Sequence, residues 1–211
     1  MATGSEIAEQ VLDIVQDPSF DEDTVIARLN ECAGSISRRF VLPSLDTEAS
    51  VVTVEGADSV SLPVTFQRNL YHCRDAAGRS IDVANSKAQL FIDHEPGKPG
   101  VKVRAVAAVG RLLVYVPTPV VAETLTINFQ RRPTVITAGA QIDLLPDGFD
   151  DLFVNYALWK LYEKLEQGWE GAKVDTNHYM AIYFGLRDEL AIALKEGVSL
   201  PPPPIARIER W

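Results

Sequence analysis

Four aspartates stand close together at Asp143, Asp147, Asp150 and Asp151. A pair drawn from such a group, for example among Asp143, Asp147 and Asp151, could do general acid–base work. The same residues precede a helical pattern, where carboxylates favour the positive helix terminus. No base, metal set or nucleophile accompanies them. The three histidines, His72, His94 and His178, are scattered, with no HExxH or CxxC spacing. His72 and Cys73 are neighbours in an apparent strand, so they face opposite sides. The DEDT at 21–24 has too few oxygens for a calcium loop and reads as a charged helix start. GKPG at 97–100 is a turn and not a phosphate cradle, and there is no GxSxG elbow. Cys32 falls on an apolar helix face, which predicts a buried, inert thiol. Cys73 lies in a strand and could be exposed, and a bond between the two is open. The expectation is a protein that is not an enzyme, with no catalytic residue, metal or cofactor.

The segment PPPPIARIERW raises a different kind of chemistry. Consecutive prolines cannot continue a helix or join a sheet ladder, and they adopt polyproline II with three residues per turn. If that conformation persists, Ile205, Ile208 and Trp211 point one way, while Arg207 and Arg210 share another face. Such a stripe is too narrow to bury itself. It is either a frayed terminus or an arm, Pro201, Pro202, Pro203, Pro204 and the residues after them, that binds something else.

The whole composition sets the frame for both. Of 211 residues, 46% are hydrophobic and 23% charged, enough for one large domain or two small ones. The net charge of −9 argues against a sequence-independent nucleic-acid binder, which needs a basic footprint. MATGSEIAEQ shows no signal pattern, and no apolar run approaches the ~20 residues of a membrane span. A cytosolic origin with reduced thiols is expected.

The elements that must hold these residues follow from periodicity. Ile7, Val11, Ile14 and Val15 lie on one helical face, and Thr3 and Glu6 have capping-box spacing. Asp17-Pro18 stops that helix, and Ser19 and Glu22 repeat the box spacing. Val25, Leu29, Cys32 and Ile36 mark a second stripe, which ends near Phe40 and Pro43. From about 49 to 136 the chain is rich in Val, Ile, Thr, Phe and Tyr and predicts about six short strands. NSKAQLFIDHEP is ambiguous between strand and short helix. Sequential strands suggest an antiparallel sheet, sandwich or small barrel. Helix returns at Pro146, with a stripe from Phe149 through Leu165. Asp175 can cap a last helix that buries Tyr179, Ile182, Tyr183, Leu186, Leu190 and Ala193. The fold class is therefore α+β: a bundle of about four helices with an inserted antiparallel β domain and an extended C-terminal arm. The expected boundaries are 1–48 and 140–198 for the two halves of the helical body, 49–139 for the β domain and 199–211 for the arm.

Trp159, Tyr162 and Trp169 sit off or at the margin of the third helical stripe. A helix apolar all round is buried on more than one side. These three residues are candidates for a subunit interface, or for a satellite cluster within one chain. Arg38-Arg39 suits a helix C-terminus, and Arg131-Arg132 can guard a strand edge.

At this point a resemblance emerges. LLVYVPTPVVAETLTINFQRRPTVI followed by IDLLPDGFDDLFVNYALWKLYEKLEQGWEG resembles the head-to-tail adaptor, or connector, proteins of tailed bacteriophages. EIAEQVLDIVQDPSFDEDTVIARLNECAGSISRRFVLP fits the same group, so the resemblance covers most of the chain. It implies a virion protein that forms a homo-oligomeric ring, typically of twelve copies, docked beneath the portal protein at the head–tail interface after assembly in the host cytoplasm. It implies contact with tail tube or nozzle proteins, and a channel through which genomic DNA passes without specific binding. An acidic wall that lets DNA slide suits that role. The arm would then fasten the ring to the portal, with Ile205, Ile208 and Trp211 in apolar pockets and Arg207 and Arg210 on acid groups. A tail-completion or tail-tube-end protein of the same architecture is the alternative.

Overall fold

The computed structural model describes residues 2–167 and 174–197. The chain is α+β and divides into two compact units. One takes the residues up to Leu42 and those from Thr134 onward, and the other is Pro43–Pro133.

The helical unit begins with α1 (Gly4–Val15) and α2 (Glu22–Arg39). The Thr3–Glu6 capping box forms: the Glu6 N–H donates to Thr3 Oγ1 at 3.2 Å and the Thr3 N–H to Glu6 Oε2 at 2.7 Å. The second box expected at Ser19 and Glu22 does not form. Asp21 is the N-cap, receiving the Thr24 N–H at 2.8 Å, while the Ser19 N–H donates back to Asp17. An aspartate one residue before the first helical turn is the better-placed acceptor. α4 (Asp150–Leu165) and α5 (Val174–Gly197) complete the unit. The helix expected from Pro146 starts four residues later. Pro146–Phe149 is a turn closed by the Phe149 N–H on the Pro146 carbonyl, with Gly148 at φ +89°, a position that favours glycine.

α4 is the hub. It packs on α1, α2 and α5, and α1 and α2 pack on each other. Leu152, Phe153, Val154, Ala157, Leu158 and Leu161 are buried around it. Much of the broad apolar girth of this helix is thus buried within one chain. α5 rests chiefly on α4. It buries Thr176, Tyr183 and Leu190 at a spacing of seven and leaves Ile182, which sequence placed in the core, 37% exposed. A helix supported on one side buries only a narrow stripe. The N-terminal segment is clamped in turn, because the Gly4 and Ser5 N–H groups donate to the Ala140 and Ala138 carbonyls and the Ile142 N–H donates to Ala2.

The second unit is built on a seven-stranded sheet. Its strands are β1 (Asp46–Val52), β2 (Ser59–Ser61), β3 (Phe66–Asp75), β4 (Ser80–Ala84), β6 (Ala105–Val109), β7 (Leu112–Val116) and β9 (Thr124–Arg131). The order is β1-β9-β3-β4-β6-β7-β2, and β5 (Pro99–Gly100) pairs with β8 (Thr118–Pro119) separately. Nine strands stand where six were expected, since β2, β5 and β8 are too short to leave a period in the sequence. The sheet is mixed and not purely antiparallel: β4 runs parallel to β6. A parallel step needs a crossover, and α3 (Lys87–Asp93), the ambiguous segment, lies between these strands in the chain. Leu90 of α3 packs on Ala105, Ala107, Val114 and Val116.

The sheet curls. The Thr53 N–H donates to Glu123 and extends the β1–β9 ladder, and the residues after it bond across to the region of β7 and β8: the Gly56 N–H donates to Pro119 and the Val54 N–H to the buried Tyr115 hydroxyl at 3.1 Å. The concave side holds Phe66, Cys73, Leu113, Tyr115, Ile127 and Phe129. In β3 the register jumps between Arg68↔Gln130 and His72↔Asn128, a bulge centred on Asn69 at φ +54°.

Candidate functional site

The side chains that sequence singled out on α4 meet those of α5 in an aromatic cluster. Tyr156 and Trp159 are one turn apart on α4, and Tyr183 and Phe184 are adjacent on α5. Trp159 lies 5.6 Å from Tyr156, 5.7 Å from Tyr183 and 5.6 Å from Phe184 between ring centroids. Tyr162 stacks on Tyr179 at 5.3 Å, with ring planes 13° apart. Trp159 and Tyr162 are both half-buried, so each carries an intrachain contact and keeps an outward edge. Trp169 and the arm, Pro201–Trp211, lie outside the described residues.

Cations surround the cluster. Lys160 Nζ sits 3.9 Å from the Trp159 ring centroid, and the Arg187 guanidinium lies 4.5 Å from that of Phe184. Burial pushes the Tyr156 and Tyr183 hydroxyls up to about 12. α5 starts on the Glu166 carboxylate, which accepts the Asp175 and Thr176 N–H groups at 3.2 and 3.3 Å. Asp175, the residue expected to cap, lies inside the first turn.

The acidic residues lie at the start of α4 and in the segment before it. Asp150 and Asp151 occupy the first turn of α4, and Asp150 accepts the Ala2 N–H at 3.3 Å. Asp143, Asp147 and Asp151 are exposed. Among the described residues, no group of three or more His, Cys, Asp or Glu side chains could hold a metal ion. His72 faces outward toward Asn128 at 3.3 Å, and His178 meets the Tyr179 ring. Both cysteines are free, and both are buried, Cys73 included, contrary to the exposure the sequence allowed. Burial pushes the Cys32 thiol well up and the Cys73 thiol to about 12. Strand alternation placed Cys73 inside once His72 faced out. Among the described residues no helix is long and apolar enough to cross a membrane.

Sequence reasoning missed Arg39, Arg187 and Tyr183 as parts of one surface. The Tyr-Phe pair at 183–184 with Arg187 a turn later was the available signal.

What the fold presents, then, is an α+β scaffold with an aromatic and cationic patch on its helical unit. The model of the SU10 adaptor protein family matches residues 2–199, and the chain belongs to that family, a group of phage head-to-tail adaptors. No curated protein matches the chain.

Proposed function

We propose that this chain forms the adaptor ring of a tailed-phage virion. Copies of it, twelve in this reading, dock beneath the portal protein, join capsid to tail and continue the DNA channel toward the tail tube or nozzle. Membership of the adaptor family over residues 2–199 carries the proposal. The exposed face of α5 supports it. Val174 and Ile192 fall on one side of that helix at 3.6 residues per turn, opposite Thr176, Tyr183 and Leu190, and Ile182 lies on the flank between the two sides. Val174 is 65% and Ile192 57% exposed, a large apolar display for one copy and a natural surface for its neighbour in a ring. Trp159, Tyr162 and Trp169 belong to the same inter-subunit assignment. The net charge of −9 suits a conduit past which DNA slides.

The arm completes the reading. Pro201–Pro204 hold the segment extended, Ile205, Ile208 and Trp211 enter apolar portal pockets, and Arg207 and Arg210 meet carboxylates. A pre-extended arm loses less conformational entropy on binding, and one arm per copy multiplies a weak contact. Negative-stain microscopy of the purified chain mixed with its portal tests the proposal. Rings stacked on the portal are expected; absence of both a ring and co-sedimentation would reject it. Attachment to isolated tails but not to the portal would move the chain to the tail end of the junction.

A further inference from the structure

A hole of about 280 Å³ opens in the helical unit between the end of α2 and the α4–α5 pair. Ile36, Phe40, Tyr156, Trp159, Tyr183 and Phe184 make its apolar wall. The remaining lining is Ser35 and three cations, Arg39, Lys160 and Arg187, with no carboxylate. That is an unusual lining in a chain whose net charge is −9. Lys160 already pairs with Glu163 at 2.8 Å, but the two arginines are not fully engaged. Arg39 makes no ion pair among the described residues. The Arg187 side chain is only 16% exposed, yet its carboxylate partner is its neighbour Asp188, 3.0 Å away and 71% exposed. An ion pair so open to water contributes little. A sunken guanidinium with a weak partner has much to gain from a better one.

The hole is smaller than the ~300–1,000 Å³ typical of small-molecule and cofactor sites. It is the size of one large side chain. Its walls are rings, whose faces accept an aromatic or aliphatic anchor, and its rim is positive, which attracts acids beside that anchor. We propose that this pocket receives an acidic peptide from a partner protein, one large apolar side chain seated among Trp159, Tyr183 and Phe184 and flanking carboxylates paired with Arg39, Lys160 and Arg187. The site lies on the helical unit and does not use the arm; because Trp159 is also assigned to the proposed subunit interface, a neighbour in the ring would compete for it.

The test is fluorescence anisotropy of a labelled, end-blocked peptide Asp-Asp-Phe-Asp-Asp against the full chain. Binding is expected. Asp-Asp-Ala-Asp-Asp and Lys-Lys-Phe-Lys-Lys should each bind at least about tenfold more weakly, since one loses the anchor and the other the charge match. R187Q and R39Q should each weaken the acidic peptide about tenfold, as expected for a lost charge-assisted bond. Lys102→Gln, in the β unit, should leave binding unchanged. R39Q alters an exposed side chain, so it carries the test even if R187Q loosens the fold. Equal binding of all three peptides, no binding of the acidic one, or an R39Q protein that binds like the parent would overturn the assignment. Displacement of the peptide by duplex DNA at equal charge concentration would overturn it too, since the site would then be a general anion surface.

Discussion

Asn30 and Ile136 are joined in both directions. Asn30 Oδ1 accepts the Ile136 N–H at 2.8 Å, and Asn30 Nδ2 donates to the Ile136 carbonyl at 3.0 Å. The same nitrogen donates to Ile26 at 3.0 Å. One side chain on α2 thereby satisfies the backbone of an extended segment far along the chain. Removing it leaves partly buried polar groups without partners. Asn30→Ala should cost about 1–3 kcal/mol in urea unfolding. Asn30→Asp should not rescue, because it can still accept from Ile136 but cannot donate to its carbonyl. A loss within a few tenths of a kcal/mol would show that water replaces the amide.

Two glycines should respond oppositely to alanine. A Cβ on Gly4 would stand 2.5 Å from the Thr137 carbonyl oxygen, in the clamp that holds the N-terminal segment. Backbone on both sides cannot yield, so Gly4→Ala should destabilise by about 1–3 kcal/mol. On Gly34, inside α2, the nearest atom would be Arg38 Nη1 at 3.8 Å. Gly34→Ala should stabilise by up to about 1 kcal/mol through helix propensity. Thermal unfolding of the two variants side by side reads the difference in sign.

Asp75 gives the β unit an acid-sensitive corner. Its carboxylate accepts from the Arg79 guanidinium at 2.8 Å and from the Arg79 and Ala77 N–H groups at 2.9 Å each. Those bonds, led by the Arg79 side chain, hold the carboxyl below its ordinary value of 3.8. A carboxylate depressed by folding adds stability above its unfolded value and loses it as pH falls through the folded one. Asp75→Asn should therefore lower Tm at neutral pH, and the gap from the parent should narrow as pH drops below 3.8. A gap that stays constant down to pH 2 would mean that the turn is held by shape alone.

Deletion of residues 200–211 should leave the circular dichroism spectrum and Tm unchanged while weakening attachment to the portal. Trp211→Ala should be the costliest single change in the arm, about 2 kcal/mol per site as an anchor residue. A truncated chain that co-sediments with the portal as well as the full one would remove the arm from the attachment.

The helices were legible where one strong local signal sufficed. Thr3 and Glu6 announced their cap, and Val25, Leu29, Cys32 and Ile36 announced a buried face that is present. Legibility failed where tertiary partners decided. Ile182 sits in phase with its apolar neighbours, yet α5 leans on a single helix and leaves it out. The parallel pairing of β4 with β6 depends on a seven-residue helix whose apolar residues read equally well as a strand. The alternation of His72 with Cys73 puts them on opposite faces but does not say which face is buried, so the exposure of Cys73 stayed open until the sheet's packing decided it. The cationic pocket left only a partial signal at 183–187, because Arg39 and Arg187 come from helices far apart in sequence.

The discontinuity of the helical unit has a consequence for how the polypeptide emerges from the ribosome. α1 and α2 leave the exit tunnel first, with Val11, Val25, Leu29 and Ile36 awaiting a helix encoded beyond Pro133. The segment Pro43–Pro133 is synthesised in one stretch and can close on itself as soon as β9 is out, since domains generally fold as units. The helices translated after the β module thus complete those translated before it. A nascent chain stalled once Pro133 has cleared the tunnel should hold a finished β module and two sticky, unclaimed helices, and it is at that moment that a chaperone has most to protect.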